Sequence, residues 1–295
     1  MGAAMSQRTA WALAMLAVTA VWGWSFVAKH DTLASMPASA LNSWMFGLAA
    51  LVLLPFSLGS LRTLNTRDWL GAGFAGVVLF AAFALQTSGT AYTTPSNAGF
   101  ITGLCTVFTP LILFLLGRGR PSVKQFIGTA IAMLGLGLLS LDGFALHYGD
   151  LLVLGCAVGF AVHIVVVSTF TRPAAASGSA FLQMAVVAAL SLIWSLGSGE
   201  LALLESASTL ATIVTLAVFG TAVAYAIQTR AQTRLAPETV ALILICEPIF
   251  AGLFGYLLAG DRLAPERLAG AGLILAGIAI AELRINRRGT RALAD

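Results

Sequence analysis

The chain has 295 residues, of which 59% are hydrophobic and only 9% are charged, and its formal net charge at pH 7 is +4. Because a soluble domain carries about 25% charged residues, this composition excludes a protein that covers itself with a water-compatible surface. The pI near 9.3 would suit a nucleic-acid binder, but the basic residues stand in loops between apolar runs, which is typical of membrane topology. We therefore expect the lipid bilayer, and no nucleic acid, as a partner of this chain.

In chain order the apolar runs predict ten transmembrane helices, since one helix needs about 20 apolar residues to cross the hydrocarbon. The crossings of the first half are predicted at Thr9–Ala28, Ala38–Leu58, Trp69–Gly89, Pro95–Leu116 and Lys124–Leu141. Those of the second half are predicted at Gly149–Thr169, Ser179–Leu196, Thr209–Gln228, Pro237–Ala259 and Glu266–Leu283. Unpaired backbone groups are not tolerated in lipid, so the predicted fold class is an all-α membrane protein.

The two halves carry the same pattern of residues at a constant offset of 142 positions. The matching pairs are Gln86/Gln228, Thr87/Thr229, Pro95/Pro237, Phe108/Phe250, Gly128/Gly270 and Gly135/Gly277. Because each half holds five helices, an odd number, the second half enters the membrane from the opposite side, and we predict two inverted five-helix repeats. The repeats cover residues 9–141 and 149–283, and a basic cytoplasmic tail follows at 284–295. The paired glycines predict close packing in the fifth and tenth helices.

Basic residues are distributed unevenly between the two sides of the predicted bundle. All of the 16 Lys and Arg residues except Lys29, Arg262 and Arg267 fall at the termini or in the loops after even-numbered helices. Since positively charged loops stay in the cytoplasm, both termini are predicted to be cytoplasmic, in a multi-pass protein of the cell (inner) membrane. We expect this protein to be a monomer or a weak dimer.

Three segments of the chain resemble a known family. They are Trp22-Gly23-Trp24-Ser25-Phe26, Tyr92-Thr93-Thr94-Pro95-Ser96-Asn97-Ala98-Gly99-Phe100, and Glu247-Pro248-Ile249-Phe250-Ala251 followed by Gly260-Asp261-Arg262-Leu263. With them the chain resembles, over essentially its full length, the ten-helix EamA type of the drug/metabolite transporter superfamily, and its first half is most similar to exporters of amino acids, including aromatic ones. The resemblance implies a membrane transporter of a small-molecule substrate.

Two departures from the family pattern concern the first half. Met45-Phe46 stands where the family often has an arginine followed by phenylalanine. Cys105-Thr106 occupies the place in the fourth helix that corresponds to the Glu-Pro of the ninth. The family's roles for these positions are therefore not assigned to the first half.

Two strongly polar titratable side chains are predicted to lie well inside crossings, His163 in the sixth helix and Glu247 in the ninth. Ionisable groups inside a membrane are costly and are functional candidates. For Glu247, which precedes the helix-bending Pro248, we favour a hydrogen-bonded structural carboxylate, with a proton or substrate contact as the alternative. For His163, a position facing the cavity and a hydrogen bond between helices are equally open.

A cavity for a zwitterionic solute needs a mostly apolar wall with a few polar groups that hold its amino and carboxylate ends. The candidate wall residues are Trp24, Phe80, Phe83, Gln86, Asn97, Phe100, His163, Tyr225 and Gln228. Tyr225 and Gln228 are the positional copies of Phe83 and Gln86, and an amide that faces lipid would be costly. The alternatives are that the aromatic residues face lipid or pack in the bundle, and that Trp24 belongs to an interfacial belt.

The predicted function is facilitated export of amino acids, aromatic and other neutral ones, or of similar small metabolites. The resemblance extends to the small multidrug resistance proteins, which use a glutamate in their first helix to exchange protons for cationic drugs, whereas the first helix here carries no carboxylate. A proton-coupled drug/metabolite antiporter is the alternative. A non-transporting scaffold would not account for inverted repeats.

An enzyme is not expected, because the sequence shows no catalytic constellation at membrane depth. Cys105, Cys156 and Cys246 all fall inside apolar runs, and their spacing suggests neither a metal site nor a disulfide. We therefore predict no metal and no cofactor.

Overall fold

The computed structural model describes residues 7–118, 122–142, 145–172, 175–204, 206–232 and 243–282. Its first eight helices are α1 Gln7–Leu33, α2 Ala38–Leu61, α3 Thr66–Thr90, α4 Pro95–Thr102, α5 Cys105–Leu115, α6 Val123–Ser140, α7 Tyr148–Phe170 and α8 Ala176–Gly197. The chain continues with α9 Ala207–Thr215, a π-helical segment Leu216–Val223, α10 Ala224–Gln232, α11 Cys246–Phe254, a second π-helical segment Gly255–Ala259 and α12 Pro265–Glu282. A two-residue antiparallel ladder pairs β1 Leu141–Asp142 with β2 Ala145–Leu146 between α6 and α7.

Seven helical stretches of the described residues are long and apolar enough to cross a membrane, which confirms a helical, multi-pass membrane protein. They are Thr9–Leu33, Ala38–Leu61, Thr66–Thr90, Pro95–Leu115, Tyr148–Phe170, Ala176–Gly197 and Ala207–Gln228. Two further apolar helical stretches, Val123–Leu139 and Cys246–Ala259, are shorter. The tail predicted at 284–295 and the start of the predicted ninth helix, 237–242, lie outside the described residues.

Local signals in the sequence explain where two of the helices begin. Asn65 caps α3 by accepting a hydrogen bond from the Asp68 backbone N–H, and the Asp68 carboxylate accepts one from the Asn65 N–H in return. Such a capping box satisfies two backbone donors that a helix start leaves unpaired. Thr94 caps α4 and Pro95 is its first residue, so the predicted proline just inside the fourth helix is confirmed.

The first helix is longer than its sequence predicts, and the difference moves a charge into the bundle. The prediction ended this helix at Ala28 and placed Lys29, His30 and Asp31 in a loop. This was wrong: α1 continues to Leu33, because no proline or glycine interrupts it before Pro37. Lys29 is only 5% exposed, so it joins His163 and Glu247 as an ionisable side chain enclosed by the bundle.

The predicted close packing at the paired glycines is confirmed for α6 and α12. A Cβ atom at Gly128 would lie 2.5 Å from the carbonyl oxygen of Gly277, and one at Gly135 would lie 2.6 Å from that of Gly270. Only glycine allows two backbones to approach so closely. The partner's number falls as the residue number rises, so the two helices run antiparallel.

Polar contacts at the helix ends define two faces of the bundle. At the face where α1 begins, here called the amino-terminal face, the guanidinium of Arg172 bonds both carboxylate oxygens of Asp68 and joins the end of α7 to the start of α3. At the opposite face, His30 Nδ1 donates to the Thr90 carbonyl oxygen at 2.9 Å and joins the ends of α1 and α3. Therefore α1 and α3 run in one direction and α7 runs in the other.

Adding a single methyl group to the glycine seam should destabilise the protein. In Gly277→Ala the new Cβ would lie 2.6 Å from the Ala132 backbone nitrogen and 2.5 Å from the Gly128 carbonyl oxygen, so we expect a loss of about 1–3 kcal/mol. Gly272→Ala on the same helix is the matched control, since nothing lies within 4 Å of its Cβ position. Thermal unfolding in detergent measures both variants. Equal melting temperatures for the two variants would contradict the close packing of α6 against α12.

Candidate functional site

One large cavity lies at the centre of the described helices, with a volume of about 670 Å³. A volume of roughly 300–1,000 Å³ is typical of sites for small molecules. Segments from both halves of the chain line it, chiefly α1 and α5 from the first half and α7, α8 and the π-helical segment from the second, with fewer residues from α3, α10 and α11. Six of the side chains singled out from the sequence line this cavity, namely Phe83, Gln86, His163, Tyr225, Gln228 and Glu247.

The other candidate wall residues predicted from the sequence, and Pro248, lie outside the central cavity. Trp24 packs against the cluster around α2 and lines a separate, smaller groove, and Phe80 packs edge-on against Trp194 at 6.3 Å. Asn97 is buried at the start of α4, where its Nδ2 donates to Asp150 at 3.3 Å. Phe100 belongs to the hydrophobic cluster around α4, α11 and α12. Pro248 packs beside that cluster, against Gly103.

Lys29 is the cavity residue of greatest consequence that the sequence analysis missed. Its Nζ donates to the Gln86 side-chain oxygen at 2.8 Å and lies 5.4 Å from the ring centroids of both Phe26 and Phe83. Aromatic faces within about 6 Å attract a cation. Gln86 in turn donates to the Thr102 hydroxyl at 3.4 Å, so the ammonium group is held by neutral groups.

Glu247 brings the opposite formal charge to the same cavity. It lies at the start of α11, immediately before the buried Pro248. Among the described residues, no hydrogen bond to its carboxylate is found. Glu247 lines the cavity. The hydrogen-bonded structural carboxylate favoured from the sequence and its alternative, a proton or substrate contact, both stay predictions.

His163 shows both of the features that the sequence left as alternatives, a position facing the cavity and a hydrogen bond between helices. Its ring lines the cavity, and its Nε2 donates to the Gln183 side-chain oxygen at 2.6 Å. The Gln183 amide then donates to the Ser179 carbonyl oxygen at 3.2 Å and to the Ser179 hydroxyl at 3.1 Å. This chain of bonds ties α7 to α8 and holds the imidazole in one orientation.

A π-helical segment shapes the cavity wall beside α1, the helix of Lys29. Leu216–Val223 is wound more loosely than an α-helix, and such segments occur often at functional sites. Trp22 Nε1 donates to the Gly220 carbonyl oxygen in this segment at 2.8 Å. The same indole packs edge-on against the Tyr225 ring, with centroids 6.0 Å apart. Trp22, rather than the predicted Trp24, is therefore the tryptophan of the cavity.

Two helices are interrupted beside the cavity at corresponding positions. The Gly103–Leu104 turn separates α4 from α5, and a turn at Ile245 precedes α11. Residue numbers 103 and 245 differ by the same 142 that relates the two halves of the sequence. The residues that follow the two turns, Cys105 and Glu247, both line the cavity. Interrupted helices of this kind bear the substrate sites of many transporters.

The cavity opens toward the amino-terminal face. Its lining extends to residues at the end of α5, the beginning of α6, the end of α7 and the beginning of α8, namely Leu113, Gln125, Thr171 and Ala176. These ends lie together, since Arg118 donates to the Thr169 hydroxyl at 2.7 Å.

Toward the opposite face, hydrogen bonds close the bundle above the cavity. Asp261 accepts from the Ser96 backbone N–H at 3.0 Å and from its hydroxyl at 2.6 Å. Asp150 accepts from the Thr93 hydroxyl and the Asn97 amide. Both carboxylates sit at the start of α4, where the helix dipole favours negative charge. These contacts join the start of α4 to the first turn of α7 and to the loop that follows the second π-helical segment.

The arrangement can bind a molecule that is apolar along most of its length and charged at two points. Phenyl, indole and phenol rings supply the wall, and the amide, imidazole and two opposite formal charges supply the polar groups. Among the described residues no group of three or more His, Cys, Asp or Glu side chains is placed to hold a metal ion.

Comparison with known proteins places this architecture among transporters. A model of the EamA-like transporter family matches the chain twice, over residues 9–141 and 147–283. An uncharacterized transporter of Archaeoglobus fulgidus is 31% identical over 92% of this chain and 86% of its own length. The uncharacterized transporter YyaM of Bacillus subtilis is 26% identical over 58% of this chain and 59% of its own length. A solved crystal structure at 19% identity shares the fold, with a TM-score of 0.67 over 95% of this chain and all of that one.

Removing the indole N–H of Trp22 should lower the free energy of unfolding more than removing that of Trp24. Trp22→Phe leaves the Gly220 carbonyl without this hydrogen bond, and an unsatisfied buried acceptor costs about 1–3 kcal/mol. Trp24→Phe is the matched control, because the Trp24 indole makes no hydrogen bond to any described residue. The midpoint of thermal unfolding in detergent reports the difference. A larger loss for Trp24→Phe would contradict the assignment.

Proposed function

Since the chain belongs to the EamA-like transporter family, we propose that it exports amino acids, aromatic and other neutral ones, or similar small metabolites by alternating access. The observation that carries this proposal is the central cavity, whose aromatic wall encloses two opposite formal charges and a hydrogen-bonded imidazole. An amino acid has the same distribution of groups, with two charges at one end and a side chain at the other. The substrate is moved without chemical conversion, and no cofactor takes part.

The proposal includes ten crossings built as two inverted five-helix repeats, 9–141 and 149–283. The family model matches each half separately. The helix contacts support the symmetry: α6 packs against α12 and α2 against α8, which are pairs of corresponding helices. The pairs that the offset relates, Phe83 with Tyr225 and Gln86 with Gln228, line one cavity, as a two-fold axis in the membrane plane requires.

We place the amino-terminal face and both termini in the cytoplasm of a cell (inner) membrane, with the protein as a monomer or weak dimer. The concentration of Lys and Arg residues on that side supports this orientation. The cavity then opens inward, which is the state from which an exporter collects its substrate. The bonds of Asp261 and Asp150 to the start of α4 form the outer seal in this state.

We favour facilitated over proton-driven transport, and one observation keeps the proton-coupled antiporter as the second candidate. Glu247 lines the cavity without a hydrogen bond to a described residue, and an intramembrane carboxylate in such a place can carry a proton. The two differ in their response to a pH gradient. Facilitated export runs at the same initial rate with and without the gradient, whereas proton exchange is accelerated by it.

Transport by the purified protein in lipid vesicles tests the function and the role of the cavity wall. We expect uptake of labelled L-phenylalanine, and a preference for large over small neutral amino acids. Tyr225→Ala and Phe83→Ala should reduce phenylalanine transport by about 10-fold or more relative to alanine transport, since lost apolar contacts cost about 1–3 kcal/mol.

Phe74→Ala is the matched control, because Phe74 lies on α3 with Phe83 but is 55% exposed on the outside of the bundle. It should transport both amino acids as the unchanged protein does. Vesicles that take up no amino acid would refute the proposed function. Wall variants with an unchanged preference would refute the assignment of the wall alone.

A further inference from the structure

We propose that Lys29 and Glu247 form a two-point site for a zwitterion, in which Lys29 binds the substrate carboxylate and Glu247 binds its ammonium group. This inference rests on the proposed transport function and assigns the residues that would recognise the amino acid backbone. Both residues line the central cavity.

The ammonium group of Lys29 is incompletely compensated. To the part of the chain that the structure describes it makes one hydrogen bond, to the neutral oxygen of Gln86 at 2.8 Å, and an ammonium group has three donors. The faces of Phe26 and Phe83 add attraction at 5.4 Å but no acceptor. A carboxylate is the ligand that fills the vacant donors and neutralises the charge.

The carboxylate of Glu247 is in the converse situation. It is acceptor-only when ionised, and no described donor bonds it. Its neighbour in the chain, Pro248, has no backbone N–H and so cannot supply one. An ammonium group of the substrate would provide both hydrogen bonds and the opposite charge.

The two residues face one cavity but do not neutralise each other by contact. In the described part of the chain, the ion pair found within 4.0 Å is that of Arg172 with Asp68, and Lys29 with Glu247 is not among such pairs. Separated opposite charges leave room for a molecule between them. The two charges attract each other across the cavity without touching, so a ligand that satisfies both ends gains more than one that satisfies either.

Helix packing holds the two charges on facing surfaces. The α1 and α11 backbones meet at Gly23, where a Cβ would lie 2.7 Å from the Ala251 nitrogen. Glu247 lies one turn before Ala251, and Trp22, Ser25 and Lys29 share the cavity face of α1 at helical spacing. The Tyr225 phenol stands beside this face against Trp22, where it would meet the side chain of the bound amino acid.

The test compares L-phenylalanine with two analogues that each keep one charge. Phenethylamine lacks the carboxylate and 3-phenylpropanoate lacks the amine. Each competes, unlabelled, against exchange of labelled L-phenylalanine by the purified full chain in lipid vesicles. For the unchanged protein, both analogues should compete at least about 10-fold more weakly than phenylalanine, since a hydrogen bond to a charged group is lost in each case.

Two variants test which residue binds the carboxylate of the substrate and which binds its ammonium group. In Lys29→Met, phenethylamine should compete as well as phenylalanine, and in Glu247→Gln, 3-phenylpropanoate should do so. The matched controls are Lys124→Met and Glu266→Gln, which change exposed residues outside the cavity and should keep the original ranking. Thermal unfolding shows which variants are folded. If a variant is not folded, the ranking of the three compounds by the unchanged protein decides the test.

Several outcomes would overturn the inference. Equal competition by all three compounds in the unchanged protein, or an unchanged ranking in both folded variants, would refute it while phenylalanine exchange upholds the transport function. A further contrary result is a double variant Lys29→Met/Glu247→Gln that exchanges phenylalanine better than either single variant does. That result would show that the two charges compensate each other and do not bind the substrate. Absence of phenylalanine exchange by the unchanged protein would refute the proposed function, and this inference with it.

Discussion

The ammonium group of Lys29 sets the main physical constraint on this protein, because a full charge inside a membrane must be solvated by protein, water or ligand. The structure meets part of that requirement with the Gln86 oxygen at 2.8 Å and two aromatic faces. The arrangement requires α1 to stay helical past Ala28 and α3 to present an amide at the same height. It also leaves donor capacity unused, and this capacity faces a cavity rather than lipid.

Tightly packed and irregular parts of the bundle are separated. The α6–α12 pair is joined by four glycines that leave no room for a methyl group, so the two helices pack backbone against backbone. Gly103 and three residues of the π-helical Leu216–Val223 segment line the cavity, and the turn at Ile245 lies between the lining residues Leu244 and Glu247. Such irregular backbone is tolerated at membrane depth where it is enclosed by protein or lines a cavity, and it gives the helices places at which to bend.

Much of the fold could be predicted from the sequence because it depends on strong signals. Long apolar runs predict the crossings, Pro95 marks a helix start, and the glycine pairs predict close packing that α6 and α12 display. The offset of 142 also led to Phe83, Gln86, Tyr225 and Gln228, all of which line the cavity. Corresponding positions in two copies are a better guide than the character of either residue alone.

The rest of the site depended on helix rotation and helix length, which composition does not determine. Trp22 and Trp24 lie two residues apart on α1, but about 200° of rotation separates them, and only Trp22 faces the cavity. Lys29 was placed in a loop because charged residues commonly end a membrane helix. The signal that could have found it is the absence of proline and glycine between Gly23 and Pro37, together with its spacing from Trp22 and Ser25.

Accessibility of the cavity from each side of the membrane tests most directly whether it is the path of the substrate. A single cysteine, Thr106→Cys, in a protein whose three native cysteines are alanine, would face the cavity. A membrane-impermeant maleimide should label it rapidly from the cytoplasmic side of sealed vesicles, and L-phenylalanine should slow that labelling. During exchange, labelling from the outer side should also rise. Labelling from neither side, or labelling that phenylalanine leaves unchanged, would contradict a substrate path through this cavity.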